Sequence, residues 1–201
     1  MYSFSIILLT LVGTFTATGA WTNSKISNLG MTSTSQQTVL FESVSGVGNA
    51  PSFYTVIGGG RIGTLLHQEG KSLLLKRGDK IPGDNEGTPI FIATRNDSLD
   101  GIIAECPENR LKDLVFLQNG YLDAYLSEKG LADNTQCLLY LSVPKVGVDP
   151  VDGITSVNPE GLTAATGVHA QALSDVLASL HLKCNVVSMD EYQPAMFEKL
   201  M

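Results

Sequence analysis

The chain has 201 residues, of which 43% are hydrophobic and 16% are charged, a balance typical of a globular protein with one domain and a tail. Its net charge of −7 and its pI of about 4.8 argue against a surface that binds phosphodiester backbones, because such surfaces concentrate Lys and Arg. We therefore expect no nucleic acid partner. Cys106, Cys137 and Cys184 are widely spaced, without the close pairs of a zinc or redox motif. The sequence predicts buried free thiols and no metal site.

The first 20 residues have the composition of a targeting segment. Residues 4–15 form an uncharged apolar stretch of 12 residues, and small residues follow up to Ala20. This length suits the apolar part of a signal peptide and is shorter than the roughly 20 residues that cross a bilayer as a helix. We predict a cleaved signal peptide over residues 1–20. A membrane-anchored start is the alternative, because no Lys or Arg precedes the apolar stretch.

Residues 21–50 are predicted to be a transit or linker segment that is disordered. Ser and Thr crowd the part before Thr38, and the first acidic residue of the chain is Glu42. An acid-poor, hydroxyl-rich segment that begins with Trp21 directly after an alanine resembles the bipartite presequences of algae with secondary plastids. The resemblance implies a plastid location and no stable membrane association after processing. Secretion is the alternative.

From about Pro51 the chain alternates strand-like and helix-like segments, the order typical of an α/β protein. The sequence predicts strands over 53–57, 72–76, 89–94, 114–118, 137–143, 154–157 and 185–188. It predicts a polar loop over 78–88 and helices over 60–68, 98–105, 121–128, 169–181 and 192–201. We therefore expect a Rossmann-like, doubly wound, mostly parallel sheet flanked by helices over residues 51–201.

A glycine cluster follows the first predicted strand. Gly58, Gly60 and Gly63 satisfy the pattern G-x-G-x-x-G within the run Gly58-Gly59-Gly60-Arg61-Ile62-Gly63. In dinucleotide-binding βαβ units the first glycine permits a tight turn, the second lets the backbone approach the pyrophosphate, and the third lets helix and strand pack closely. We predict that this run binds the phosphates of a dinucleotide.

The end of the second predicted strand indicates which dinucleotide is bound. Sites that prefer NAD place Asp or Glu there, about 20 residues after the first glycine, to bind the ribose 2′-hydroxyl. This chain has Lys76 and Arg77 instead. A guanidinium pairs bidentately with a 2′-phosphate, so we predict NADPH as the cofactor. The alternative is that Arg77 is a solvated loop cation and that Asp79 turns inward to bind NAD.

Polar residues also end the third and fourth predicted strands. The third ends in Thr94-Arg95-Asn96 and the fourth in Gln118-Asn119-Gly120. Open parallel sheets bind ligands at the carboxyl ends of their strands, which makes both segments candidate parts of the site. For Asn119-Gly120 a simple turn is the alternative, because both residue types tolerate positive φ.

Five segments, in this order, resemble the N-terminal half of ketopantoate reductases over about residues 53–201. They are residues 55–63, 75–77, 92–95, 118–120 and 198–200. Ketopantoate reductases are NADPH-dependent enzymes that reduce 2-dehydropantoate to pantoate. The resemblance implies that the glycine run binds the pyrophosphate and that Arg77 contacts the 2′-phosphate.

The same resemblance implies roles for three further residues. Arg95 stands where the family has a lysine that faces cofactor and substrate. Asn119 matches the asparagine that orients nicotinamide and substrate, although Gln118 stands where the family has histidine. Lys199 matches the general acid that gives a proton to the keto oxygen of the substrate as hydride reaches the carbon. Without the resemblance, Lys199 reads as an exposed cation at a helix end.

Family members continue beyond that lysine into an all-helical domain, and we expect this chain to be without it because the sequence ends two residues after Lys199. Two main hypotheses follow. The chain is either an NADPH-dependent reductase of a 2-oxo acid, shortened or completed by another chain, or a stand-alone Rossmann module that holds NADP(H) without turnover. A third hypothesis makes the glycines a loop without a ligand.

The resemblance also implies an uncovered apolar surface. Met196, Phe197 and Leu200 lie in the part of the sequence that packs on the helical domain in the family, so we expect them to be exposed and to favour either a homodimer or instability. No histidine lies in a recognisable catalytic motif, and all of them are expected at the surface or at helix ends: His67, His169 and His181.

Overall fold

The computed structural model of the chain describes residues 51–200, so the predicted signal and transit segments lie outside the described residues. The strands are β1 Tyr54–Ile57, β2 Ser72–Leu75, β3 Ile90–Ile92, β4 Leu114–Phe116, β5 Thr135–Leu138, β6 Leu141–Ser142, β7 Val151–Asp152, β8 Ala164–Thr166 and β9 Asn185–Val186. The helices are α1 Arg61–Leu66, α2 Leu99–Glu105, α3 Asp123–Glu128, α4 Ala170–Ser179 and α5 Met189–Leu200, with 3₁₀ helices at Asn96–Ser98 and Glu108–Asp113.

The main sheet has seven strands in the order β2-β1-β3-β4-β5-β8-β9. All neighbouring strands are parallel except β5 and β8, which pair antiparallel. Because β2 and β3 lie on opposite sides of β1, the direction of winding reverses at β1. Doubly wound sheets bind ligands at this switch point, outside the carboxyl ends of the strands.

Alternate residues of the central strands point into two separate cores. On one face Tyr54, Phe91 and Val115 pack with residues of α1 and α4 such as Leu66 and Leu173. On the opposite face, residues of the strands pack with Leu99 of α2 and Leu126 of α3. These strand residues are Ile57, Ile90, Ile92, Leu114 and Phe116. Nearly continuous apolar strands are typical of a parallel sheet that is covered on both sides. The predicted Rossmann-like doubly wound fold is confirmed.

One predicted strand is wrong. Residues 154–157 form a loop in which Ile154 is 43% and Val157 83% exposed, although β-branched residues favour strands. The sheet instead uses β8, a strand of Ala-Ala-Thr that the sequence pattern did not indicate. Both α4 and α5 contact β8, which leaves room only for small side chains. The predicted strand over 137–143 is also divided, into β5 and β6.

The side chain of Glu191 caps the start of helix α5, which packs on strands β5 and β8 of the sheet. The backbone N–H and the hydroxyl of Ser188 both donate to Glu191 Oε2, at 3.0 and 2.8 Å. Tyr192 and Met196 then pack against β5 and β8. The expectation of an uncovered Met196 is therefore wrong, since only 1% of this residue is exposed, whereas Phe197 is 49% exposed. The side chain of Leu200 lies outside the described part of the chain.

His169 lies at a helix end, which is one of the two positions predicted for the histidines, and it is buried there. It precedes α4, as expected for a helix end, but only 8% of it is exposed. Its Nε2 lies 3.4 Å from Asp113 Oδ1, and its backbone N–H donates to the Thr135 hydroxyl at 2.8 Å. Burial lowers the pKa of His169 below its ordinary value, and the neighbouring Asp113 carboxylate opposes part of that shift.

This shift predicts a loss of stability in acid. Between the folded and the unfolded pKa of His169 the unfolded chain binds more protons, so the free energy of unfolding falls as the pH drops below about 6.5. The slope from one such group is at most about 1.4 kcal/mol per pH unit. Urea unfolding at two pH values on either side of the ordinary histidine pKa measures it. We expect His169→Asn to reduce the slope; a slope in this variant equal to that of the wild type would contradict the assignment.

Candidate functional site

The glycine run turns the chain from β1 into α1. Gly58 has a φ of 115°, and a Cβ there would lie 2.7 Å from the carbonyl oxygen of Ala93. A Cβ on Gly63 would lie 1.7 Å from the carbonyl oxygen of Gly58, so only glycine allows this approach of helix and strand. A Cβ on Gly60 would meet nothing within 4 Å. The fold therefore requires glycine at 58 and 63, whereas the backbone of Gly60 faces open space.

Two clefts lie along the carboxyl edge of the sheet beside this turn. The first, the β2 cleft, has a volume of about 330 Å³, and its lining includes Gly58, Gly59, Arg77, Asp79 and Ile81. The second, the β3 cleft, has a volume of about 560 Å³, and its lining includes Ile62, Thr94, Arg95, Gln118 and Asn119. Thr94 lines both clefts, so they adjoin at the end of β3. Together they follow the switch point on both sides of the glycine turn.

The β2 cleft contains the residues that sequence analysis named for the choice of dinucleotide. Arg77 is exposed and makes no ion pair within residues 51–200. Asp79 also lines the cleft, but its Oδ2 accepts the backbone N–H of Lys76 at 2.7 Å and so is used within the turn after β2. The guanidinium at this edge is thus available to an anion, while one oxygen of the competing carboxylate is already engaged.

Lys199 and Asn119, which lie 80 residues apart in the sequence, are in contact. Lys199 Nζ donates to Asn119 Oδ1 at 2.7 Å and to the carbonyl oxygen of Leu139 at 2.5 Å. The same nitrogen lies 4.4 Å from the centroid of the Tyr140 ring, within the range of a cation–π interaction. Burial lowers the pKa of Lys199 below its ordinary value. The lysine is therefore held by several groups although it lies in the last turn of α5.

Contacts between α5 and the chain from Tyr121 to Asp123, at the start of α3, explain why Lys199 reaches this position. The ring of Phe197 stacks on that of Tyr121, with 5.3 Å between the centroids and 28° between the planes. One turn earlier in α5, Gln193 Nε2 donates to Asp123 Oδ2 at 3.1 Å. Tyr121 and Asp123 follow shortly after Asn119, so these contacts bring the last turn of α5 to the end of β4.

The other predicted site residues lie at the same edge with different roles. Arg95 lines the β3 cleft and pairs with Asp97 at 3.2 Å, but both side chains are largely exposed, and such pairs contribute little. Arg61 Nη1 donates to the carbonyl oxygen of Val143 at 3.0 Å, so its side chain holds the chain after β6. If Arg61 binds a ligand, it would therefore do so through its backbone N–H and not through its side chain.

Gln118 belongs to the segment after the fourth predicted strand that the sequence marked as a candidate part of the site, although no separate role was predicted for it, and it helps to shape the β3 cleft. It is 7% exposed, and its Nε2 donates to the carbonyl oxygens of Ile92 at 2.8 Å and Thr94 at 3.2 Å. The residue thereby ties the end of β4 to the end of β3. A polar side chain directly after a buried strand was the only sequence signal for it.

Within residues 51–200, no helix has the length and apolar character needed to cross a membrane. In the same part of the chain, no cluster of three or more His, Cys, Asp or Glu side chains could hold a metal ion.

The fold and the edge of the sheet define a Rossmann-like α/β protein with paired clefts at its switch point. Comparison with solved structures gives similarity to a ketopantoate reductase from Staphylococcus aureus, described as dimeric, at 18% identity and a TM-score of 0.43 over 67% of this chain and 54% of that one. A protein described as a probable 2-dehydropantoate 2-reductase from Bacillus subtilis is similar at 14% identity and a TM-score of 0.40, over 68% of this chain and 58% of that one.

The structures thus belong to the family whose motifs the sequence resembles, and the chain spans little more than half of their lengths. No protein-family model and no curated protein matches the sequence.

Proposed function

We propose that the chain binds NADPH along the two clefts and reduces a 2-oxo acid, as its resemblance to ketopantoate reductases implies. The observation that carries this proposal is the contact of Lys199 Nζ with Asn119 Oδ1 at the edge of the β3 cleft. Two residues that the resemblance assigns to one reaction centre, far apart in sequence, lie within hydrogen-bond distance of each other.

The residues at the sheet edge fit a dinucleotide. The open space at Gly60 leaves room for a pyrophosphate beside the backbone, and the clefts on either side of the turn would receive the two halves of the molecule. Arg77 in the β2 cleft would pair with the 2′-phosphate, and Ile62, Arg95 and Asn119 in the β3 cleft would adjoin the nicotinamide half. When bound, NADPH supplies the hydride.

Lys199 would act as the general acid. Reduction of a keto group builds negative charge on its oxygen, and an ammonium beside that oxygen stabilises the charge and donates a proton. An ammonium has three N–H donors, and Asn119 Oδ1 and the Leu139 carbonyl accept two of them. The third would be left for the substrate. A pKa that burial has lowered makes the ammonium a better proton donor.

Asn119 would orient Lys199 and, through it, the substrate. Its Oδ1 accepts from Nζ, so its amide N–H groups are turned away from the ammonium and are available to a ligand in the β3 cleft. The competing proposal is a stand-alone module that binds NADP(H) without turnover. In either case we propose that two copies of the chain can form a homodimer through the surface around Phe197, whose ring is exposed.

Binding and turnover separate these proposals. The dissociation constant of NADPH is measured first by fluorescence titration, and loss of NADPH absorbance is then followed with 2-dehydropantoate and with other 2-oxo acids. Binding together with oxidation supports the reductase. Binding without oxidation of NADPH by any of these acids supports the module, and absence of binding overturns both.

The choice between NADPH and NADH is tested at Arg77. We expect Arg77→Ala to weaken NADPH binding by about 10- to 100-fold, because a hydrogen bond to a charged group contributes about 1.5–3 kcal/mol, and to leave NADH binding unchanged. Lys80→Ala, which removes an exposed cation of the same loop outside the cleft lining, is the matched control and should change neither. Two results would favour the NAD alternative. One is that Arg77→Ala weakens the binding of NADPH and NADH equally, and the other is that Asp79→Asn weakens NADH binding whereas Arg77→Ala does not.

A further inference from the structure

The connection between β2 and β3 crosses the sheet without an α-helix. β2 ends at Leu75, β3 begins at Ile90, and both strands pair with β1 in parallel. Parallel strands of one sheet are usually joined through a helix, which satisfies its own backbone hydrogen bonds. The backbone groups of this irregular crossover need other partners wherever they are buried.

A single buried side chain supplies several of these partners. Arg110, in the 3₁₀ helix Glu108–Asp113, is 0% exposed. Its Nη1 donates to the carbonyl oxygens of Pro82, at 3.2 Å, and of Asp84. Its Nη2 donates to the carbonyl oxygen and the hydroxyl of Thr88, at 3.0 and 3.3 Å. One guanidinium therefore binds the crossover at three points.

Asp113 holds Arg110 in this orientation. Arg110 Nε donates to Asp113 Oδ2 at 2.6 Å, and the same oxygen accepts the backbone N–H of Gly87 at 2.9 Å. The side chains of the pair are 0% and 6% exposed. Removing one partner of a buried ion pair leaves an uncompensated charge, so the pair fixes the guanidinium firmly.

The crossover that Arg110 binds also forms a wall of the β2 cleft. Gly78, Asp79 and Ile81 line that cleft, and Ile81 directly precedes Pro82, whose carbonyl oxygen accepts from Arg110. Because no helix stiffens the segment, the position of the wall depends on the points at which the crossover is tied down.

We propose that Arg110 is a positioning residue for the β2 cleft: by binding the carbonyl groups of the crossover, it holds the wall against which the adenosine 2′-phosphate half of the dinucleotide packs. This inference rests on the proposed function. Arg110 touches neither cleft, so its effect is confined to the half of the ligand next to the crossover.

The test separates positioning from general stability by comparing two ligands. The dissociation constants of NADPH and of adenosine 2′,5′-bisphosphate are measured by calorimetry on Arg110→Lys and Arg110→Met, well below their melting temperatures. We expect both constants to rise by the same factor, at least about 10-fold, and to rise more in Arg110→Met than in Arg110→Lys, which keeps the charge. If Arg110→Met does not fold, the binding constants of Arg110→Lys alone decide whether Arg110 positions the cleft wall.

Leu177→Ala is the matched control. Leu177 is 0% exposed in α4, in the core on the opposite face of the sheet, and truncating a buried Leu leaves a cavity that lowers the melting temperature. We expect this variant to lose stability without a change in either constant. Arg110 variants that bind as the wild type does, or that lose NADPH affinity without losing affinity for the bisphosphate, would overturn the positioning role. A wild type that binds neither ligand would overturn the proposed function itself.

Discussion

Replacing Lys199 by Met is expected to lower kcat for NADPH-dependent reduction by about 10²- to 10⁴-fold, the usual contribution of a positioned general acid. The dissociation constant of NADPH should stay within a factor of two or so of the wild type, since Lys199 lines neither cleft and its proposed action is on the substrate oxygen. Steady-state kinetics combined with direct binding gives both quantities. A variant that keeps full kcat would remove Lys199 from the reaction.

Two further variants show whether the position of the ammonium matters as well as its charge. Lys80→Met removes an exposed cation elsewhere and should leave kcat unchanged. Asn119→Ala keeps the lysine but removes the oxygen that accepts from Nζ at 2.7 Å, so we expect an intermediate loss. An effect of Asn119→Ala confined to the KM of NADPH would assign Asn119 to cofactor binding alone.

The pH dependence of kcat follows from the same group. The proposed acid must be protonated to donate, so we expect kcat to fall as the pH rises through the pKa of Lys199, which burial lowers below the ordinary value of about 10.4 for lysine. Lys199→Arg stays protonated throughout this range and should lose this fall.

The sequence predicted the first half of the sheet well because each strand is a short apolar run that ends in a glycine or polar residue. β1, β2, β3 and β4 lie within the predicted ranges, and the glycine run forms the predicted turn. These are local signals, in which a strand and its turn are adjacent in the chain. β8 gave no such signal, because its small residues are determined by the helices that pack on both of its faces.

The buried polar residues show a second limit. Arg110 lies in the run Glu-Asn-Arg-Leu-Lys-Asp, which reads as a solvated segment, yet its partners at Pro82, Asp84 and Thr88 bury it completely. Those partners lie more than 20 residues away, and no periodicity links them to Arg110. The contact of Lys199 with Asn119 is of the same kind: a family resemblance named both residues, but nothing local in the sequence brings them together.

Replacing Gly60 by Asp is expected to raise the dissociation constant of NADPH by at least about 10²-fold while leaving the fold intact. Gly60 precedes α1 with extended backbone angles and open space around its Cβ position, and Asp is among the preferred residues before a helix. We therefore expect the free energy of unfolding to stay the same or to rise by a few tenths of a kcal/mol. A carboxylate about 4 Å from a phosphate costs about 4 kcal/mol at a protein surface, which more than accounts for the loss of affinity.

Gly63 provides the contrast that makes this result specific. Gly63→Ala places a Cβ 1.7 Å from the carbonyl oxygen of Gly58, so the turn has to shift, and we expect a loss of about 3 kcal/mol or more in stability together with NADPH binding. Gly60→Asn introduces a side chain of the same shape as Gly60→Asp but without the charge, so it should weaken NADPH binding less. Because only the Gly60 variants separate ligand binding from folding, unchanged affinity in Gly60→Asp would show that no pyrophosphate lies on this turn, whatever the Gly63 variant does.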